Sequence, residues 1–162
     1  MKKSLRLAAL LLAGATALPL AATAAPLTPA QLEAAYAALD DEYHAYSFYA
    51  AVIETFGPIR PFSNIIKAEQ THAARVIALL QAEGAAVPPN PYADGSKPLP
   101  AVPASKAAAC AIGVQAEIAN KALYDENLLP AAEGNVALTQ IFTDLRDASQ
   151  LRHLPAFQRC AG

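Results

Sequence analysis

The sequence is poor in charge, in glycine and in basic runs, and each shortage excludes a class of protein. Only 16% of the residues are charged and 54% are hydrophobic, a balance that excludes an intrinsically disordered chain. Seven glycines in 162 residues exclude a collagen-like repeat. No basic run occurs beyond the extreme N-terminus and the formal net charge is −2, so we expect no nucleic-acid partner. One compact domain is predicted.

A regular alternation of apolar and polar residues, which would indicate strands, is missing too, and helical spacing takes its place. Apolar residues at helical intervals predict helices at about 29–56, 61–81 and 105–129, and a fourth from a cap at Asn135. Six prolines between Ala85 and Ala104 rule out a helix there, so we interpret that segment as a surface crossover without ligands. The connections predict an all-α fold, a four-helix ferritin-like bundle of two hairpins joined by the crossover.

The first 24 residues have the three parts of a secretory signal peptide. In order, these are Lys2, Lys3 and Arg6, then the apolar run Leu7–Ala13, then Ala22-Thr23-Ala24. The alternative is a membrane anchor, but Gly14 and Pro19 break the run, which falls short of the roughly 20 residues needed. We therefore predict that residues 1–24 are removed. The bundle domain, residues 25–162, is then exported to the periplasm or the extracellular space without membrane attachment.

Helical spacing assigns five ionisable residues to the interior of the bundle: Glu42, Glu69, His72, Glu117 and His153. Three buried carboxylates on separate helices are unfavourable unless a positive charge compensates them, and one or two divalent metal ions supply that charge. Glu69 and His72 lie one turn apart on the same face and can bind one ion together. A Glu and a His at this spacing also occur often on solvated helices, so the pair indicates a metal site only together with the other three residues.

The two cysteines bear on the register of the last two helices. Cys110 lies seven residues before Glu117, and Cys160 lies seven residues after His153. In an antiparallel helix pair, a disulfide between the cysteines therefore brings Glu117 opposite His153. Export to an oxidising compartment favours this disulfide over the alternative, two free thiols in the core.

Several short motifs, taken together, resemble a known family. They are the runs Asp41-Glu42-Tyr43-His44-Ala45-Tyr46, Glu54-Thr55-Phe56-Gly57-Pro58-Ile59-Arg60-Pro61-Phe62, Ala68-Glu69-Gln70-Thr71-His72 and Glu117-Ile118-Ala119. These runs are similar to those of small bacterial ferritin-like domain proteins of unassigned function, relatives of rubrerythrin and ferritin, over nearly the whole mature chain. The resemblance implies a dinuclear iron site in which Glu69 bridges and Glu42, His72, Glu117 and His153 are the other ligands.

One position departs from the family pattern. A full site carries a second Glu-x-x-His on the last helix, but the residue three before His153 is Gln150 and the residue four before it is Ser149. The site is then asymmetric, with Gln150, Asp147 or water as the substitute, or it holds a single metal, or it has lost its metal chemistry.

Other polar residues are assigned to ordinary structural roles. His44 lies two residues from Glu42, so we expect it on the solvated side of its helix. Tyr46, one turn from Glu42, belongs to an aromatic patch that core packing explains, although its hydroxyl could bond a ligand. Ser149 has only His153 as a base and no third orienting group, so a hydrolase triad is not predicted.

The sequence thus predicts an exported metal-binding protein. Carboxylate and imidazole ligands suit iron, with manganese or zinc as alternatives, and the chemistry would be oxidation of Fe(II) or reduction of peroxide or dioxygen. The rival hypothesis is a non-enzymatic bundle with a vestigial site that acts as a stress or interaction module. A homo-oligomer is compatible with either hypothesis, and iron storage would require a cage of many subunits.

Overall fold

A computed structural model describes residues 26–162, so the predicted signal peptide lies outside the described part of the chain. Within that part the fold is all-helical, as predicted, and contains no strand. Helix α1 spans Pro29–Phe56 and begins with a capping box, in which Thr28 and Gln31 bond each other's backbone. Helix α2 spans Phe62–Ala82. The helices α1 and α2 pack mainly against each other and form the first hairpin.

The second hairpin consists of α3 and α4, and each of these helices contains one π-helical turn. Helix α3 comprises Lys106–Leu123, the π turn Tyr124–Leu128 and Leu129–Ala131. Helix α4 comprises Val136–Ala148, the π turn Ser149–His153 and Leu154–Ala161. Side chains of Ser105 and Asn135 cap the first turns of α3 and α4.

A Leu-Pro pair follows each π turn and explains its position. The N–H of Leu129 bonds the carbonyl of Tyr124, and the N–H of Leu154 bonds that of Ser149, in both cases five residues back. The next residue is Pro130 in α3 and Pro155 in α4. Because proline has no N–H, the α-helical hydrogen bond to the carbonyl four residues back is missing at this position. Helix α4 continues past Pro155 to Ala161.

Two apolar clusters hold the hairpins together, and all four helices contribute to each. One cluster includes Leu39, Val76, Tyr124 and Phe142, and the other includes Phe48, Phe62, Cys110 and Phe157. The second cluster contains the predicted disulfide, which is confirmed: Cys110 and Cys160 are bonded, with their Cα atoms 5.7 Å apart.

The segment between α2 and α3 carries the prolines and lies along α1. The Tyr36 and Tyr43 hydroxyls donate to the carbonyls of Ala86 and Pro88, at 2.9 and 3.3 Å. The Tyr92 hydroxyl donates to the carboxylate of Asp40 at 2.9 Å. Within residues 26–162, no helix has both the length and the apolar character needed to span a membrane.

Candidate metal centre

Five side chains from the four helices meet in a buried layer of the bundle, and they are the five that helical spacing assigned to the interior. Helix α1 contributes Glu42, α2 contributes Glu69 and His72, α3 contributes Glu117, and α4 contributes His153. The three carboxylate residues are each at most 4% exposed. These acids are placed by the same periodicity that buries their apolar neighbours on each helix.

Glu69 lies at the centre of the layer. Its Oε2 is 3.0 Å from Nδ1 of His72, and its Oε1 is 3.2 Å from Nδ1 of His153. Each of the other two carboxylates lies beside one of these imidazoles. Oε2 of Glu42 is 3.3 Å from Nδ1 of His72, and Oε1 of Glu117 is 3.7 Å from Nδ1 of His153. The two imidazole rings are stacked, with centroids 5.7 Å apart.

This geometry defines two groups of residues that could each hold a metal ion. They are Glu42, Glu69 and His72, and Glu69, Glu117 and His153, with the ligand atoms of each group within 4.8 Å of one another. Glu69 belongs to both groups and presents a different oxygen to each imidazole. A carboxylate shared in this way is suited to bridge two cations.

Two phenols cross between the hairpins and hold the outer carboxylates. The Tyr49 hydroxyl on α1 donates to Glu117 on α3 at 3.0 Å, and the Tyr124 hydroxyl on α3 donates to Glu42 on α1 at 3.3 Å. Each tyrosine follows the carboxylate of its own helix by seven residues, so the arrangement is reciprocal. Both tyrosines are fully buried. Sequence reasoning singled out Tyr46 instead, although the repeated Glu-to-Tyr interval is visible in the sequence.

The ionisable groups of the layer have strongly shifted pKa values. Burial raises the pKa of Glu42 well above its usual range, although the His72 hydrogen bond opposes this shift. Burial and the charge of Glu69 raise the pKa of Glu117 to about 7. Burial would also raise the pKa of Glu69, but hydrogen bonds from His153 and His72 outweigh it and hold that pKa at about 2.

The imidazole of His72 is shifted in the direction that complements Glu69. Burial alone would lower the pKa of His72, but hydrogen bonds to Glu42 and Glu69 raise it to about 10. In the absence of metal, the charge of Glu69 is thus balanced by a protonated His72.

Ser149, on the π turn of α4, lies beside the five residues. This serine is buried, lines the same cavity as the five residues, and its hydroxyl oxygen accepts a hydrogen bond from the Gln150 amide at 2.9 Å. Besides this bond to Ser149, the Gln150 amide donates to the backbone carbonyl of Glu117 at 2.7 Å. Asp147 accepts a hydrogen bond from Arg146. Neither Gln150 nor Asp147 lines the cavity.

The cavity of about 30 Å³ at the layer is also lined by residues that sequence reasoning missed or misplaced. Asp41 accepts a hydrogen bond from Asn120 at 2.6 Å, and burial raises its pKa to about 6. The prediction of a solvated His44 is wrong: this residue is half-buried, lines the cavity and meets the ring of Tyr92 edge-on at 5.1 Å. The crossover covers this side of α1, which the sequence pattern of α1 alone does not reveal.

The donor set consists of carboxylate oxygens and imidazole nitrogens, which suit iron, manganese and zinc. Within the described part of the chain, the two groups of candidate ligands come from the helices and include no residue between α2 and α3. Comparisons of the chain with protein-family models, with curated proteins and with solved structures find no match.

Proposed function

We propose that this chain is an exported ferritin-like protein whose buried layer binds two metal ions, iron by preference, and serves oxidation of Fe(II) or reduction of peroxide or dioxygen. The observation that carries the proposal is Glu69, whose two oxygens each face a different imidazole. One carboxylate between two groups of ligands is the arrangement that a dinuclear site requires.

Two further observations support the ferritin-like part of the proposal. The two hairpins each contribute to the layer, and a proline-rich connection joins them, as expected for a bundle with one long crossover. The disulfide supports export, because such bonds persist in oxidising compartments.

In this proposal the protein holds and insulates the metal pair. Glu42 and His72 would bind one metal ion, Glu117 and His153 would bind the other, and Glu69 would be shared by both. Tyr49 and Tyr124 keep the outer carboxylates oriented through their hydroxyls. Iron would supply the electron transfer, while the apolar clusters on either side exclude bulk water.

The test is metal analysis of protein purified from its native compartment, followed by assays of Fe(II) oxidation and peroxide reduction. We expect about two metal ions per chain and turnover that Glu69→Gln abolishes. The matched control is Glu126→Gln, which makes the same change at an exposed position on α3. The proposal would be contradicted if the native protein contained no metal and did not bind added Fe(II) or Mn(II).

The second candidate is a non-enzymatic stress or interaction module with a vestigial site. It is favoured by Ser149 in place of a carboxylate and by hydrogen bonds that already pair Glu69 with both histidines without metal. Bound metal without turnover would support this candidate. A solution mass measurement would separate either function from iron storage, which needs a large cage.

A further inference from the structure

We propose that a basic pocket at the disulfide-bonded end of the bundle binds a phosphate group. The basic pocket has a volume of about 420 Å³ and is lined by Arg60, Lys106 and Arg159, together with Asn64 and Cys160. None of its residues lines the cavity of the candidate metal centre. The inference therefore goes beyond the proposed function and does not depend on it.

The first support is that three cations from three parts of the chain meet at this pocket. Arg60 lies in the loop before α2, Lys106 begins α3, and Arg159 lies in the last turn of α4. No Asp or Glu is among the lining residues of the pocket. Like charges around one pocket repel one another, and a bound anion would relieve that repulsion.

The second support is that these cations are unpaired in a chain that is rich in acids. Over the whole sequence Asp and Glu outnumber Lys and Arg by 14 to 12, and three of the bases belong to the predicted signal peptide. Within residues 26–162, salt bridges to aspartates are formed by Arg75, Lys97, Lys121 and Arg146. In that same range the three cations of the basic pocket form no salt bridge. The excess of positive charge is therefore local to the pocket.

The third support is the position of Lys106 on its helix. It is the first residue of α3, where the helix dipole already places partial positive charge, so a cation is unfavourable there. An acidic residue in the first turn of α2 or α3 would compensate this charge, and neither helix has one. An anion in the basic pocket would provide the missing compensation.

The donor set and the size of the pocket favour phosphate among anions. Two guanidinium groups and one ammonium group match the several oxygens and the multiple charge of a phosphate, and the Asn64 amide can donate a further hydrogen bond. A pocket of about 420 Å³ also has room for the group to which the phosphate is attached, beside Pro61 and Ala156. That group belongs to a soluble phosphorylated molecule or to the headgroup of an anionic lipid.

The test measures binding of inorganic phosphate to the whole mature protein by titration calorimetry, with chloride at equal ionic strength as the reference for screening. We expect saturable binding of one phosphate per chain, and Lys106→Gln should weaken it at least about tenfold. Without phosphate, the same substitution should raise the urea midpoint slightly, because it removes a cation from the positive end of α3. Lost binding in a variant at least as stable as the wild type cannot result from unfolding.

The matched control is Lys67→Gln, which removes the same charge at an exposed position of α2 outside the basic pocket. It should leave phosphate affinity within about twofold of the wild type. Arg60→Gln and Arg159→Gln should weaken binding as Lys106→Gln does. Equal weakening by Lys67→Gln and Lys106→Gln would overturn the inference, because a general charge effect would then explain the binding.

A second titration separates the basic pocket from the metal centre, since phosphate also binds metal ions. It uses protein from which metal has been removed with a chelator and the chelator by dialysis. We expect unchanged phosphate affinity, and loss of binding would overturn this inference while the proposed function stands. A protein that takes up no metal but binds phosphate would overturn only the proposed function.

Sedimentation with phosphatidylcholine vesicles, with and without phosphatidylglycerol, distinguishes the two sources of the phosphate. Binding to the phosphatidylglycerol vesicles that Lys106→Gln abolishes would support the inference and identify a lipid headgroup. Phosphate binding without sedimentation would support it and identify a soluble phosphorylated ligand. Binding of neither phosphate nor vesicles would overturn it.

Discussion

Glu69 is the one carboxylate of the layer whose charge the protein stabilises by itself. Its pKa is held at about 2 by hydrogen bonds from two imidazoles, whereas burial raises the pKa of both Glu42 and Glu117. The metal-free layer therefore keeps one charged glutamate and favours protonation of the other two. Three buried like charges, which the sequence suggested, are avoided by this division.

The first prediction concerns the pH dependence that Glu117 imposes on the metal-free protein. Its pKa is raised from 4.5 to about 7, so its contribution to stability is fully present below pH 4.5 and is lost as the pH rises through 7. Glu117→Gln keeps the uncharged shape at every pH. Relative to this variant, we expect wild-type stability to fall by on the order of 3 kcal/mol between about pH 4.5 and pH 8.

Urea unfolding in the presence of a chelator measures this difference at several pH values. The exposed substitution Glu126→Gln should leave the wild-type profile unchanged. Parallel profiles for wild type and Glu117→Gln would show that the pKa of Glu117 is the same in the folded and the unfolded protein.

At the scale of helices, the close approach of α3 and α4 depends on a residue without a side chain. A Cβ at Gly113 would lie 2.6 Å from Cδ1 of Phe157, whose ring is fully buried. Gly113→Ala should therefore lower the free energy of unfolding by about 1 to 3 kcal/mol, although alanine favours helix by up to about 1 kcal/mol.

Chemical unfolding measures this loss, and a double variant identifies its cause. Phe157→Leu in the Gly113→Ala background should cost less than Phe157→Leu alone, because the shorter side chain relieves the overlap. Additive losses from the two changes would contradict the proposed clash.

The disulfide is a second determinant of the α3–α4 hairpin. Cys110 and Cys160 are 50 residues apart, and closing a loop of this length should contribute about 2 to 4 kcal/mol. Reductant, or replacement of both cysteines by alanine, should lower the urea midpoint accordingly. A thiol assay on denatured, unreduced protein should find no free thiol. An unchanged midpoint on reduction would show that the bond restricts the unfolded chain very little.

Sequence periodicity predicted the helices and the five buried ionisable residues because each feature repeats at the interval of a regular helix. It could not predict the π turns, where one extra residue rotates the following side chains by roughly 100°. Gln150 was considered as a substitute because it lies three residues before His153, whereas Ser149 lines the cavity. The position of His44 depends on Tyr92, which is distant in sequence, so no pattern within α1 could give it.

At the scale of the whole molecule, metal would join the two hairpins. One candidate group combines Glu69 of α2 with Glu117 and His153 of the other hairpin. Fe(II) or Mn(II) should therefore raise the thermal midpoint, and more at neutral than at acid pH, because protonated carboxylates release metal. Glu69→Gln should remove most of this increment.

In the metal-free protein, Glu69→Gln should also be destabilising, because His72 and His153 lose an ionised partner. Thermal melts with metal and with chelator measure both effects, and Glu126→Gln should behave as wild type in both. Equal wild-type midpoints with and without metal would mean that the five residues are only a polar core.

The disulfide has one more consequence, which concerns topology. With Cys110 bonded to Cys160, α3, its loop and α4 form a covalent ring, and both Glu117 and His153 lie on it. Glu42, Glu69 and His72 lie on the open-chain part of the molecule. When the bundle unfolds, Glu117 and His153 stay at a high effective concentration relative to each other, whereas Glu42 and the Glu69–His72 pair are joined to them only through the open chain. The disulfide therefore keeps two of the five residues near each other in the unfolded chain. Refolding then has to bring the first hairpin, with the other three residues, to this ring.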